Sequence, residues 1–516
     1  MQEIKKSSDS FEQYYRNFFA GKKITKQGFG ILGRGGGVTK FLIEMGANIL
    51  VTDLKGKENF ENQIIELENF QKEIKSPSQI QYFFGEHRME DFINCDFVIQ
   101  ASGVPKNNLY LQAARDQGIK VYQESSLFCE IVKNYFDNSS LERKKINILG
   151  ITGTRGKTTT TFLIYEILKN NFANTESQIF LGGNVQGVAT LEILKKIKAG
   201  DWVVMELDSW ILQGFQDIKF SPQISVFTNL MSDHMNYYQN NMQEYFLDKA
   251  NIFLFQNSED KLEDKFIVSE NSLAACKKYL TKDLTVEIFD KLEKSILVST
   301  EQIEKDKKNY FSLLLGEHNR LLISLAVAAT KSLNLNAEKI TEAIRNFPGV
   351  PGRLEMRREI QGVKYFNDTT ATTQEATLAA LQALVDLIDA LVLKNKLTEK
   401  ITPKLILICG GCDKQLSYSD LVQKIIELTQ QNILKKTILL LDNQTTTGSD
   451  RLLVEFVRNN FTEFLMAKNL SEAVNLAKDN SQSGDIILFS PASASFGLFK
   501  NEYDRGDQFN KIVDGV

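Results

Sequence analysis

Three α/β domains, each built on a mostly parallel sheet with crossover helices, are what this sequence predicts, and three observations predict them. Strand-like apolar runs alternate with helix-like runs along the whole chain, which is the pattern of parallel sheets joined by crossovers. Two breaks cut it into three sections: a polar stretch at residues 133–145, and Phe347-Pro348-Gly349-Val350-Pro351-Gly352. The length, 516 residues, is about three times an ordinary domain.

The sections run from 1 to 143, 144 to 347 and 348 to 516. In the first, residues 97–100 and 121–123 read as strands and 40–45 and 109–116 as helices, so a Rossmann-like domain is expected. The second opens on an apolar strand, residues 146–151, that runs into a Gly/Thr-rich turn, the layout of a P-loop domain. It continues through strand-like runs at 202–207 and 224–230. Residues 260–306 are charge-rich with short strand-like pieces and read as a solvated elaboration of this domain. The third section has strands at 405–409, 437–441 and 486–489 between helical patterns, and is expected to be Rossmann-like again. In such sheets ligands bind beyond the carboxyl ends of the strands, so the chemistry is sought there.

Composition removes other classes. The 61 Lys plus Arg nearly balance 65 Asp plus Glu, for a net charge of −4, which is no footprint for nucleic acid. No apolar run approaches the ~20 residues of a membrane span. The first 23 residues carry acids and no apolar h-region, so they do not read as a secretory signal. Five cysteines at irregular spacing make no disulfide framework. A soluble, cytoplasmic, monomeric protein without a membrane or nucleic-acid partner is expected.

The sharpest local motif is Gly150-Ile-Thr-Gly153-Thr154-Arg-Gly156-Lys157-Thr158-Thr159. Backbone N–H groups of such a turn, with the helix N-terminus behind it, can surround a triphosphate. Lys157 would bridge phosphate oxygens and the Thr158 hydroxyl could ligate Mg²⁺. The strict spacing asks for glycine at 151, where this chain has Ile, so the loop is a variant. Gly28-Phe-Gly30-Ile31-Leu32-Gly33, followed by Asp53 after an apolar run, has the form of a dinucleotide-fold fingerprint. Lys26 and Gln27 sit where its strand wants apolar residues. A nucleotide-type ligand or a plain glycine turn are the two readings there.

Glu206 ends the run Trp202-Val-Val-Met205, where a carboxylate could hold a metal. His234 lies just beyond another strand, as a metal ligand or a structural histidine. Lys249 falls on the following helix, where the pattern alone reads as a solvated lysine. Cys409-Gly-Gly-Cys412 has CxxC spacing but no second CxxC and no histidine nearby. It reads as a glycine turn that carries two thiols.

Taken in order, these segments resemble the Mur ligase family across almost the whole chain. The resemblance is carried by Gly153-Thr-Arg-Gly-Lys-Thr-Thr159, Gly182-Gly-Asn184, Glu206-Leu-Asp-Ser-Trp210, Thr228-Asn-Leu-Met-Ser-Asp-His234 and Asp248-Lys249-Ala250. It continues through Gly316-Glu-His-Asn319, Arg353-Leu-Glu355, Asn367-Asp368-Thr-Thr-Ala-Thr372, Gly410-Gly-Cys-Asp-Lys414 and Ser490-Pro-Ala-Ser-Ala-Ser495. It implies an ATP-dependent ligase that adds D-glutamate to UDP-N-acetylmuramoyl-L-alanine through an acyl phosphate, in cytoplasmic peptidoglycan precursor synthesis. It implies that Gly30, Ile31, Leu32, Gly33, Asp53, Lys55 and Asn184 hold the UDP-linked substrate. Gly153, Thr154, Gly156, Lys157, Thr158, Thr159, Asn319, Arg353 and Asp368 would contact ATP. Two Mg²⁺ ions would be served by Thr158, Glu206, His234 and a carbamylated Lys249. Lys157, His234, Lys249 and Arg353 would act in catalysis, and Thr372, Lys414 and Ser495 would recognise D-glutamate.

The chain departs from the family pattern at Thr370, where a lysine is usual, at Leu322 in place of a second asparagine, and at Glu502 in place of an aromatic. Related readings are another Mur-type amino-acid ligase, a folylpolyglutamate synthase and a non-catalytic nucleotide-binding regulator. The glycine-fingerprint domain ahead of the phosphate loop argues against the synthase. The set Lys157, Glu206, His234 and Lys249 argues against a pure binder, which needs no metal side.

Overall fold

The computed structural model describes residues 10–29, 34–101, 103–137, 145–256, 264–279, 288, 291–310, 317–347, 349–395, 402–412, 417–441, 447–495 and 498–515. Five short strands form the first sheet: β1 (Lys23–Gln27), β2 (Asn48–Asp53), β3 (Ile80–Phe84), β4 (Phe97–Gln100) and β5 (Lys120–Tyr122). All pair in parallel, in the order β3-β2-β1-β4-β5. The chain leaves β1 toward β2 and β3 on one side and returns to β4 and β5 on the other. The order therefore reverses between β1 and β4, the place beyond the carboxyl ends where sheets of this kind bind ligands.

β1 is a central strand despite its polar sequence. Residues 24–27 are all buried, held by ladders to β2 on one side and β4 on the other. The ammonium of Lys26 donates to the Gly28 carbonyl at 2.6 Å, which satisfies a cation that burial would otherwise leave stranded.

The second sheet holds β6 (Asn147–Thr152), β7 (Ile179–Gly183), β8 (Trp202–Glu206), β9 (Ile224–Phe227), β10 (Lys265–Ser269) and β11 (Ile296–Val298). Its order is β11-β10-β9-β6-β8-β7, all parallel. Both faces of β6, β8 and β9 are covered, which explains runs such as Trp202–Glu206 with no exposed residue. The charge-rich stretch 260–306 is more than an elaboration, because it supplies two strands of the sheet, β10 and β11. Lysines and acids on its turns and helices hide those short strands from a composition reading. The stretch expected as a linker likewise begins as helix, Glu124–Asp137, with residues 138–144 outside the described set.

A continuous apolar core that includes Phe41 and Phe128 from the first sheet's helices, with Val203 and Phe215 of the second section, joins the two sheets. They make one compact unit, Met1–Asn309 with Leu321–Ala343. The other unit, Tyr310–Arg320 with Ile344–Val516, carries β12 (Glu355–Ile360), β13 (Val363–Asn367), β14 (Leu405–Cys409), β15 (Leu434–Leu440), β16 (Phe464–Ala467) and β17 (Ile486–Phe489). Its order is β12-β13-β17-β14-β15-β16, parallel except for the antiparallel edge strand β12. Separate apolar clusters, around Leu407 and around Ile408, cover its two faces. No helix among the described residues is long and apolar enough to cross a membrane.

Both tryptophans of the chain, Trp202 and Trp210, lie in the first unit. Leu407 is fully buried in the core of the second unit, and truncating such a side chain to alanine costs about 2–5 kcal/mol. Leu407→Ala is expected to leave the urea midpoint of tryptophan fluorescence unchanged while far-UV circular dichroism gains an earlier transition. Phe215→Ala, in the first unit's core, should lower the fluorescence midpoint instead.

Candidate active site

The carboxyl ends of β6, β8 and β9 lie side by side in the second sheet, and each runs into a polar segment. After β6 the chain turns through Gly153, Thr154, Arg155 and Gly156 into the helix Lys157–Phe172. Gly153 has φ +141°, and a Cβ there would come within 2.0 Å of the Thr228 hydroxyl and 2.9 Å of the Asn229 nitrogen. Only glycine lets the turn lie this close to the exit of β9. The two segments are laced together by Thr154 N donating to Asn229 O at 2.9 Å, Arg155 N to Asn229 Oδ1 at 2.9 Å, and the Thr228 hydroxyl to Arg155 O at 2.6 Å. The Thr154 hydroxyl is spent on Met231 and lies 3.3 Å from the Tyr245 hydroxyl. Gly156, at φ +81°, begins the helix, and the Leu322 side chain packs against it. Thr158 and Thr159, half-buried, sit in that helix's first turn.

Two lysines meet at this turn. Lys157 Nζ donates to Gly153 O at 3.1 Å and Thr154 O at 3.0 Å. Lys249 Nζ donates to the same Gly153 O at 2.9 Å. Lys249 is the buried member, 1% exposed, with its ammonium 4.7 Å from the Tyr245 ring centre. Burial, then the nearby Lys157 charge, pull its pKa down to about 7. The solvated lysine that its helix position suggested is therefore an interior one.

Glu206, 4% exposed, ends β8, and its backbone carbonyl accepts from Asn184 N at 2.6 Å. The Asn184 side-chain amide donates to its carboxylate at 3.5 Å. Asn184 thus sits beside the carboxylate of β8. His234, past β9, has φ +55°, in the left-handed region that histidine enters more readily than most residues. Its ring lies 4.8 Å from that of Trp210. Asp248, beside Lys249 in the chain, accepts from Gln213 at 2.7 Å and from the Tyr238 hydroxyl at 3.0 Å, and burial raises its pKa.

In the first sheet, Gly30, Ile31, Leu32 and Gly33 lie outside the described residues. Asp53 accepts from Phe29 N, in the glycine segment after β1, at 2.8 Å and from Lys55 N in its own turn at 3.0 Å. Lys55 is exposed.

The second unit holds its own polar cluster at the carboxyl ends of β13 and β17. Asp368 accepts from the Ser490 hydroxyl at 2.7 Å and from Leu354 N at 3.0 Å, and Ser490 lies 2.9 Å from the Thr377 hydroxyl. Burial pushes the Asp368 carboxyl up to about 7, against the pull of Ser490, Leu354, Arg353 and Arg505. Arg353 itself is exposed. Thr370 donates its hydroxyl to Gly352 O at 2.9 Å. Thr372 N donates to Thr370 O at 3.0 Å. Ser495 is 3% exposed, and its hydroxyl has no partner among the described residues. Lys414 lies outside them. Asn319 is half-buried in the helix Glu317–Lys331. The two thiols differ, with Cys409 buried and pushed up to about 12 and Cys412 half-buried.

Arg505 escaped sequence reasoning. It lies on the helix Glu502–Asp514, fully buried, and donates to the Thr369 hydroxyl and carbonyl at 3.1 and 2.6 Å and to Ser493 O at 3.0 Å. It staples the segments that follow β13 and β17. Nothing in an amphipathic helix marks one arginine as interior.

These groups fit a nucleotide with a divalent cation. The Gly153–Gly156 turn leads into the N-terminus of the helix Lys157–Phe172, and the Lys157 and Lys249 ammonium groups face it. Glu206, Thr158 and His234 offer hard oxygen and nitrogen donors. Among the described residues no three His, Cys, Asp or Glu side chains gather to cage an ion alone. Mg²⁺ takes hard oxygen donors, commonly one or two carboxylates together with substrate phosphates, and Glu206 and Thr158 are donors of that kind.

Residues 151–334 match the Mur ligase middle domain. The chain is 31% identical to UDP-N-acetylmuramoylalanine–D-glutamate ligase of Roseiflexus sp. (strain RS-1), over 96% of this chain and 99% of that one. It is 31% identical to the ligase of the same name from Borreliella burgdorferi, over 95% and 97%. The chain belongs to the Mur ligase family. A crystal structure of the UDP-N-acetylmuramate–alanine ligase MurC of Thermotoga maritima shares the fold, with a TM-score of 0.51 at 16% identity over 96% of this chain and 99% of that one. Three α/β domains and ATP-dependent amide ligation are the family's architecture and chemistry.

The raised carboxyl of Asp368 makes this Mur ligase's stability depend on pH. An unfolded aspartate titrates near 4, so between about pH 4 and 7 the folded chain keeps a proton that the unfolded chain has lost. The contribution of this group is fully present below the unfolded pKa and is lost as pH rises through the folded one. Asp368→Asn is expected to match the parent's urea midpoint at pH 4 and to exceed it increasingly up to pH 8. Circular dichroism of the two proteins across that range checks it.

Proposed function

We propose that this Mur ligase couples ATP cleavage to joining D-glutamate onto UDP-N-acetylmuramoyl-L-alanine, as a cytoplasmic step of peptidoglycan precursor synthesis. The observation that carries the reading is the meeting of Lys157 and Lys249 on one carbonyl oxygen at the end of β6, beside Glu206 at the end of β8. The relatives named for this reaction, similar over nearly the full length, supply the two co-substrates.

A carboxylate is a poor acyl donor and must be activated. Its oxygen attacks the γ-phosphorus of ATP, the bond to the β-phosphate oxygen breaks, and ADP leaves with an acyl phosphate formed. The amine then adds to the acyl carbon, loses a proton, and the tetrahedral intermediate expels inorganic phosphate. Phosphoryl transfer of this kind is catalysed by positioning and charge neutralisation. Lys157 would move from the loop carbonyls onto the phosphates, and the backbone N–H groups from Gly156 to Thr159, at the start of the helix, would line the chain of phosphates. Thr158, Glu206 and His234 would hold Mg²⁺, which supplies charge neutralisation at the transferring group.

Lys249 is proposed to be carbamylated. Its burial leaves a large neutral fraction near pH 7, and the neutral amine is the form that adds CO₂. The product replaces one of two crowded cations with an anion suited to a second Mg²⁺. In the second unit, Arg353, Asp368 and Asn319 are proposed for ATP, and Thr372, Lys414 and the Ser495 hydroxyl for D-glutamate. Gly30 to Gly33, Asp53, Lys55 and Asn184 are proposed for the UDP-linked substrate. Thr370 and Glu502 make amino-acid specificity the point to test.

Phosphate release from ATP with UDP-N-acetylmuramoyl-L-alanine present, across D- and L-amino acids, is expected only with D-glutamate. Release with a different amino acid would overturn the substrate and keep the chemistry. Lys157→Ala should cut that release by at least ~1,000-fold with the fold intact by circular dichroism. Ligation surviving at near-normal rate in this variant would sink the assignment of the phosphate loop.

A further inference from the structure

Three glutamines stand in a row across the first sheet. Gln27 ends β1 and Gln100 ends β4, and the two are register partners. The β4–β5 register pairs Ile99 with Tyr122, and one step further sets Gln123 beside Gln100. Strands in register point the same residues to the same face, so the three side chains lie side by side at the carboxyl edge. They are 2%, 6% and 3% exposed. The Oε1 of each is buried and has no hydrogen-bond partner among the described residues.

One orphaned acceptor inside a protein can be a packing accident. Three in a row, where apolar residues would fill the space at no such cost, point to a donor that arrives from outside the chain. Their place supports this, since β1 and β4 flank the reversal of strand order where ligands bind.

The row also has a direction. It starts beside Gly28, at the head of the glycine turn, and runs outward to Gln123. The amide of Gln123 donates to the Trp210 carbonyl at 2.6 Å, which fixes its orientation. Trp210 belongs to the helix Ser209–Asp217 of the second section, and its indole Nε1 is likewise buried without a partner among the described residues. Its ring lies 4.8 Å from His234. The row therefore bridges the glycine turn, which suits a diphosphate, and the edge where the reacting carboxylate belongs.

We infer that Gln27, Gln100 and Gln123, with the Trp210 indole, form a recognition row for the sugar that connects the nucleoside diphosphate to the carboxylate. The three amide oxygens accept from its hydroxyl and acetamido N–H groups, and the indole N–H donates to a carbonyl oxygen. This rests on the ligase reading above, and it adds specificity residues that no motif marks. It also sets function against stability, because methionine at these positions removes an unmet polar atom at similar volume.

The test measures binding of UDP-N-acetylmuramoyl-L-alanine and of UDP by calorimetry, for the parent chain, Gln100→Met and Gln27→Met, with urea midpoints alongside. The expected result is at least a tenfold loss of affinity for the sugar-bearing ligand in each variant. UDP affinity should stay within twofold of the parent, and the urea midpoint should be equal or higher. Unchanged affinity for the sugar-bearing ligand, or an equal loss for both ligands, overturns the inference while the ligase reading stands. A parent chain that binds neither ligand takes down the ligase reading, and this inference with it.

Discussion

Two ammonium groups share one carbonyl oxygen, that of Gly153, at the carboxyl end of β6. Like charges at such a separation repel, and one of them is buried where water cannot screen it. The arrangement persists because the sheet over-determines it. β6 is gripped by β8 and β9, the turn is laced to Thr228 and Asn229, and Lys249 sits on a helix packed beneath. An anion at the turn would relieve the repulsion from outside, and the carbamate proposed on Lys249 would relieve it from within. Both are steps that phosphoryl transfer to a carboxylate can use. The strand order supplies the rest, since it sets Glu206 and the segment leading to His234 on either side of the same turn.

The second unit solves a different electrostatic problem. Asp368 is kept buried among hydroxyl and backbone donors, and its proton affinity is raised into the neutral range. Arg505, interior and fully engaged, fixes the two segments that border it. The Thr370 hydroxyl and N–H both donate to the Gly352 carbonyl, which ties its segment to the turn ahead of β12.

Much of the fold was legible because central parallel strands must be apolar on both faces. The runs at 97–100, 405–409 and 486–489 are strands with those same limits, and the turn after β6 is marked by its glycines. Reading failed where tertiary context overrode local chemistry. β1 carries Lys26 and Gln27 and is still central, because ladder pairing on both sides and a carbonyl for the ammonium outweigh its polarity. β10 and β11 hid within charged surroundings. Burial of Lys249 and Arg505 cannot be seen from helical spacing, since a lysine or arginine on a helix face looks the same whether the neighbouring element covers it or not. The glutamine row was equally silent: its members lie 73 and 23 residues apart, and only the register brings them together.

The central claim is that the cationic turn after β6 activates a carboxylate by phosphoryl transfer. The most direct measurement labels the L-alanine carboxylate of UDP-N-acetylmuramoyl-L-alanine with oxygen-18 and examines the inorganic phosphate released during ligation by mass spectrometry. An acyl phosphate carries one carboxylate oxygen away, so the account predicts one label in each phosphate released. Unlabelled phosphate, with ligation proceeding, would contradict it.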